Sequence, residues 1–198
     1  MELVHVGGQF RVGKTVDHLA MLDDVMSGSR ILGIVQPAGG DSADPGVQDL
    51  RRIGCAGRVT SYQELDDGRL IITLTGLARF EIVEEVPAKL PYRLTSVRYD
   101  RFAADLQKNL GNEDVDRARL LRALRGYLER NKLAADWNVI ERASNEFLIN
   151  ALSIMSPYGP EEKQALLEAS DLKTRAEVLV TLAEMELAAQ GGSGGTLQ

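Results

Sequence analysis

The sequence predicts an α+β chain in which a small β-barrel or curled antiparallel sheet precedes a C-terminal helical bundle. Three observations carry this. Residues 53–92 read as consecutive strands joined by tight turns. Gly54 and Gly57 interrupt the first of them, as glycines do at bulges and barrel corners. Beyond Phe102 the apolar spacing changes from every second residue to every third or fourth, the period of helices buried on one face. The expected division is a β-rich domain over residues 1–104, atypical in its opening stretch, a helical subdomain over 105–190 and a flexible Gly/Ser tail over 191–198.

In chain order, residues 2–6 (ELVHV) are a short strand candidate. Residues 17–26 (DHLAMLDDVM) set Leu19, Leu22, Val25 and Met26 at helical spacing. Residues 31–35 (ILGIV) form a strand that Pro37 ends, because proline has no N–H for a central ladder. Residues 38–52 are rich in Gly, Asp, Ser and Pro and read as a long exposed loop. After an extended run over 53–64, Asp66-Asp67-Gly68 supplies the Asp-Gly signal of a tight hairpin. Over residues 69–75, Leu70, Ile72 and Leu74 face one way, and Ile71, Thr73 and Thr75 the other. Gly76 is expected to turn the chain again. Residues 79–86 then oppose Phe80 and Ile82 to Glu81 and Glu85, and residues 92–100 make the last strand after Pro87 and Pro91.

In the helical half, residues 115–131 repeat Val115, Ala118, Leu121, Leu124 and Leu128 on one face. Trp137 and Ile140 lie in a short helix. Ser144 is placed to cap a helix whose face includes Phe147, Leu148, Ala151, Leu152 and Met155, and Pro157 ends it. Pro160 suits the first turn of the next helix. Ser170 is expected to cap the last one, whose stripe is Leu172, Ala176, Leu179, Leu182 and Ala183, with Glu186 departing from it.

With 198 residues, 44% of them hydrophobic and 26% charged, the chain can bury one sizeable core or two small ones. Its net charge is −6 and neither half is basic. That argues against nucleic acid as a partner, which needs a positive face, and leaves room only for a local patch. Cys55 is the single cysteine, so no intramolecular disulfide forms and a buried, inert thiol is expected. No apolar run approaches the roughly 20 residues of a membrane span. The first residues lack the apolar region of a signal peptide. A cytoplasmic protein with no membrane partner is the expectation.

Gly8-Gln9-Phe10-Arg11-Val12-Gly13-Lys14-Thr15 matches the phosphate-binding pattern GxxxxGK[ST] at each fixed position. In such a loop Gly8 and Gly13 let the backbone curl its N–H groups toward phosphate, Lys14 reaches the outer phosphates and Thr15 holds Mg²⁺. Nucleotide binding is therefore the alternative function. The rest of the chain opposes it. That loop belongs to a parallel sheet with alternating helices, whereas these strands follow one another as hairpins. The strands that end in Gln36-Pro37 and Thr75-Gly76 also lack the second carboxylate for Mg²⁺. Gly191-Gly192-Ser193-Gly194-Gly195 fits the nucleophile elbow G-x-S-x-G, but an elbow needs a strand before it and a helix after it. His5 and His18 have no metal-ligand spacing. No catalytic residue, metal or cofactor is expected.

Several stretches together carry a resemblance. HLAMLDDVMSGSRILGIVQP, GCAGRVTSYQELDDGRLIITLTGLARFEIVEE, PYRLTSVRYD and NEFLINALSIMSPYGPEEKQALLEASDLKTRAEVL stand in the order of the N-terminal substrate-binding domain of the ATP-dependent Lon (La) protease. The chain resembles the short stand-alone bacterial form of that domain. The resemblance begins at about Leu19, and residues 1–17 show none of the family's Pro- and Leu-rich opening strands. It implies a PUA-like barrel followed by helices. It also implies a non-enzymatic module that recognises unfolded or tagged polypeptide segments, in partnership with a protease machine. The ATPase and Ser–Lys peptidase modules of the full-length family lie outside these residues. Candidate contributors to a peptide-binding surface are Gln36, Pro37, Arg79, Phe80 and Tyr92, with Phe80 reading first as core.

Overall fold

The computed structural model describes residues 7–12, 16–39, 49–66, 70–132 and 134–191. The chain divides into two compact units, Met1–Lys108 and Asn109–Gln198.

In the first unit, β1 (Gly7–Val12), β2 (Ile31–Ile34), β3 (Ile53–Glu64), β4 (Leu70–Val86) and β5 (Leu94–Arg98) form one five-stranded antiparallel sheet. The order is β1-β4-β3-β2, with β5 also on β4. β4 is the spine. Its first half pairs with β1, Leu70 opposite Val12, and its second half with β5, Val86 opposite Leu94. β3 runs along the other edge of β4. Gly76, expected to turn the chain, instead lies inside β4 opposite Gly57. Ala78 faces Ala56, so Leu77 is an extra residue, a β-bulge. A bulge bends a strand without ending it, so the glycine marks a bend where the sequence reading put a turn. Further register shifts fall at Thr60 in β3 and at Val83 in β4.

α1 (Val16–Ser27) follows β1. Its Leu22, with Met21, Val25 and Met26, packs on Leu32, Val59, Leu70, Ile72 and Leu74. A second cluster gathers Ala56, Phe80 and Ile82 with Ile31, Val35, Leu50, Leu77 and Val97. Apart from Val35 and Leu50, which lie between β2 and β3, these residues come from β2 through β5, so the sheet curls around them. Glycine permits the closest approach: a Cβ on Gly54 would stand 2.6 Å from Phe80 Cζ and 2.8 Å from the Ile34 carbonyl oxygen. Among the described residues no ladder joins β1 to β2, so the sheet is curled and open. The opposite face of β4 is covered by 3₁₀ turns over Asp100–Leu106, which bury Phe102 completely.

The second unit is helical: α2 (Arg117–Arg130), α3 (Trp137–Arg142), α4 (Asn145–Met155), α5 (Pro160–Glu168) and α6 (Leu172–Gly191). Leu120, Ala123, Leu148, Ile149, Leu166, Leu179, Val180 and Ala183 belong to one core. On α2 the buried stripe is Leu120, Ala123, Leu124 and Tyr127, while Ala118 is exposed. The expected stripe was phased from Val115, which precedes the helix: Asp116 is the N-cap and accepts the Arg119 N–H at 2.9 Å. On α4, Leu148 and Ile149 are buried, whereas Phe147 and Met155 are exposed. Ser144 caps α4 by accepting the Phe147 N–H, and Pro160 opens α5 at its first position. The last helix is capped by Asp171, not Ser170: Asp171 Oδ1 accepts the Thr174 N–H at 2.7 Å, and the Ser170 hydroxyl donates to Asp171 Oδ2. α6 runs on through Gly191, and the rest of the elbow-like run lies outside the described residues. No described helix is long and apolar enough to cross a membrane.

Candidate functional site

The site grows from the base of the loop that leads into β3. The two legs of that loop pair with each other: Ala38 N–H donates to the Asp49 carbonyl at 2.7 Å, Arg51 N–H donates to the Gln36 carbonyl at 2.9 Å, and Pro37 bridges Leu50. The second leg then joins β4 through the Ile82 N–H, which donates to the Arg52 carbonyl at 2.7 Å. Leg and strand enclose an open cleft of about 380 Å³ lined by Asp49, Leu50, Arg52, Ile82, Val83 and Glu85. Leu50 and Ile82 belong to the core cluster around Phe80, so the cleft floor is the top of the core. Val83 is the extra residue of the second β4 bulge and is half exposed. Re-aiming a side chain is what a bulge does to a strand.

Charge rims this apolar floor. Glu85 lies beside Arg93, the residue before β5, which donates Nε–H to its carboxylate at 2.9 Å and makes a second bond through Nη2. The hydrogen bond and positive charge of Arg93 hold the Glu85 carboxyl below the usual range. Glu85, and less strongly Asp49, push the Arg93 guanidinium up. The lining therefore offers aliphatic contact framed by fixed charges of both signs. Among the described residues, no group of three or more His, Cys, Asp or Glu could hold a metal ion.

The proposed contact residues scatter. Gln36 and Pro37 form the base of the loop, next to Leu50 of the cleft. Tyr92 precedes Arg93 and donates its hydroxyl proton to Asp24 of α1, which ties the β4–β5 connection to that helix. Arg79 and Phe80 are interior, 5% and 3% exposed, and offer no contact surface. Both faces of β4 are covered there. Phe80 packs under β2 and β3 and meets Tyr99 edge-on with centroids 6.3 Å apart. Arg79 grips Asp105 in a two-pronged ion pair of 2.8 and 2.7 Å, with its guanidinium 4.2 Å over the Phe102 ring.

The phosphate-loop alternative meets a different backbone. Gly8 through Val12 are extended in β1, with Gly8 opposite Leu74 in an antiparallel ladder. A cradle needs those N–H groups curled toward one point, and here they follow a strand. Gly13, Lys14 and Thr15 lie outside the described residues.

Asp49, Leu50, Arg52, Val83 and Glu85 were missed from sequence. Two signals stood there unused. Leu50 is the apolar residue nearest the end of a polar run, and Ile82-Val83 breaks the alternation of β4, the mark of a bulge.

The comparisons with known proteins agree with one another. The family model described as "ATP-dependent protease La (LON) substrate-binding domain" matches residues 8–184. It starts earlier than the resemblance at Leu19 and takes in β1, the segment the sequence reading set apart. The chain is 28% identical over 172 residues to a Lon protease of Flavobacterium johnsoniae, covering 85% of this chain and 21% of that protein. It is 26% identical over 168 residues to Lon protease 2 of Myxococcus xanthus, covering 83% and 20%. The chain thus spans about a fifth of the length of these curated relatives. Among solved structures, the Lon N-terminal domain protein from Xanthomonas campestris superposes with a TM-score of 0.60 at 18% identity, covering 90% of both chains. The N-terminal domain of a Mycobacterium avium complex Lon protease gives 0.63 at 17%, also covering 90% of both. These two share the fold, a PUA-like sheet followed by helices. With nearly its whole length inside the family match, the chain belongs to the substrate-binding domain family of the ATP-dependent protease La (Lon).

Proposed function

We propose that this chain is a non-catalytic module that binds polypeptide segments in the cytoplasm, and that chemistry on a bound segment is done by a protease machine outside these residues. The observation that carries this reading is the cleft whose floor is Leu50, Ile82 and Val83 and whose rim holds Asp49, Arg52 and Glu85. Its size suits one or two side chains of an extended segment, at the small end of ligand sites, which run to about 1,000 Å³. Sheet edges supply the second element. Among the described residues β2 pairs only with β3, and β5 only with β4. An extended segment can add its backbone to such an edge while its side chains enter a pocket beside it.

Fluorescence anisotropy of labelled peptides tests the proposal. A panel of unfolded segments with apolar side chains should bind saturably. Val83→Asp changes an exposed position and should weaken binding about tenfold, the loss of roughly one buried aliphatic contact. Absence of binding across the panel, or binding indifferent to Val83→Asp and Leu50→Asp, sinks the reading.

A further inference from the structure

We infer that the helical unit carries a docking surface for an acidic polypeptide segment, centred on Arg122 and Arg125 of α2. This inference is independent of the cleft and concerns a different unit of the chain. α2 contains five arginines and one glutamate, in a chain whose net charge is −6. The fold uses part of that charge. Arg117 donates to Asn145 Oδ1 at 2.6 Å and to the Ile140 and Glu141 carbonyls at the end of α3. Arg119 pairs with Glu184 of α6 at 2.9 Å. Arg130 is engaged as well.

Arg122 and Arg125 remain. Both are exposed, and among the described residues neither has a hydrogen-bond or ion-pair partner. They stand three positions apart on one helix face, with Cβ atoms about 5–6 Å from each other. Arg125 is also pre-positioned, its guanidinium carbon 4.5 Å from the centroid of the Trp137 ring. A guanidinium stacked by its face leaves its edge N–H groups free to take a carboxylate in the two-pronged manner. Two such forks one helical turn apart fit two carboxylates at similar spacing. Successive acidic residues one turn apart on a helix, or two residues apart on a strand, provide it.

An acidic peptide suits this surface better than a nucleic acid. A polynucleotide would extend its charge well past two arginines, over a chain that is otherwise acidic, and its affinity depends on many phosphate contacts.

Trp137 is the only tryptophan in the chain and lies under one of the two arginines, so its emission reports on the surface directly. The full chain should be titrated with a glutamate-rich peptide and with its glutamine analogue, following Trp137 emission and the anisotropy of the labelled peptide. The glutamate peptide should bind saturably and more weakly as salt is raised, while the glutamine analogue should not compete. Arg122→Glu and Arg125→Glu should each weaken binding about tenfold or more, as charge reversal at a paired site does. Lys173→Glu makes the same change of net charge on α6 and should leave binding within about twofold, the small effect expected of a charge outside the contact. Circular dichroism checks that each variant keeps its helices. Binding unaffected by both arginine reversals overturns the inference. So does equal binding of the glutamine peptide, or a single-stranded RNA that outcompetes the acidic one.

Discussion

The two units handle buried polarity differently. In the sheet unit, Arg79 is buried as an ion with Asp105, and a phenylalanine ring rests against two glycines on neighbouring strands. The partners in these contacts come from distant parts of the chain. Asp105 reaches back to a strand residue 26 positions earlier, and its Oδ2 also accepts that residue's backbone N–H at 2.9 Å. Among the described residues of the helical unit the buried polar side chains are the neutral Asn145, Ser156 and Gln164. Its Arg119–Glu184 ion pair is about half exposed at both ends, and its helix caps bond within three residues. A long-range contact that is tightly packed has no substitute nearby, whereas a cap or a surface pair is one of many small local terms.

The largest expected effect follows from the ion pair. Asp105→Ala removes the carboxylate that Arg79 grips while Arg79 stays buried, so it should cost about 3 kcal/mol in urea unfolding. Replacing both residues together, Arg79→Met with Asp105→Leu, should cost clearly less, because no buried charge is left behind. If the double variant is as damaged as the single one, packing and not charge is what the pair supplies. The next effect is steric. Gly54→Ala places a methyl against the Ile34 carbonyl and the Phe80 ring and should cost about 2 kcal/mol by overpacking. Gly76→Ala, whose Cβ would meet nothing closer than Cys55 Sγ at 3.9 Å, should change stability by less than about 1 kcal/mol, the size of a glycine-to-alanine entropy term. Comparable losses in the two would refute the close-approach argument.

The same contrast explains what could be read from the sequence. Apart from β1, whose residues read as a glycine-rich loop, strand and helix identities were legible because period and punctuation are local. β3 over Ile53–Glu64, the cap at Ser144, the helix start at Pro160, and the inward set Leu70, Ile72 and Leu74 follow from alternation, capping chemistry and turn residues. Bulges were not legible, since they depend on which residue lies across the ladder. Gly76 looked like a turn until Gly57 faced it. The cleft shares that difficulty: Leu50 and Val83 are 33 positions apart in sequence, and a register shift is what brings Val83 to the surface beside Leu50. Arg79 was misplaced for a similar reason. A strand arginine reads as exposed unless the carboxylate and ring that cover it, Asp105 and Phe102, are known to fold back over it.

A loss smaller than those at the ion pair and at Gly54 tests the helical side of the contrast. Asp171 caps α6, and its carboxyl is held below the usual aspartate range, first by the Thr174 backbone N–H and then by the Ser170 hydroxyl. A carboxyl lowered in the folded state adds stability that is fully present above its unfolded value and is lost as pH falls through its folded one. Asp171→Ala should therefore cost about 1 kcal/mol at neutral pH, the usual worth of a cap. The gap between parent and variant in urea unfolding should narrow steadily once the pH drops below the ordinary aspartate range. Asp171→Asn keeps an acceptor for the Thr174 N–H without the charge, so it should lose less at neutral pH and show a flatter acid profile. A gap between Asp171→Ala and the parent that holds unchanged into strong acid would mean that the cap works through geometry alone, and that charge contributes as little at this helix start as it does between Arg119 and Glu184 on the surface.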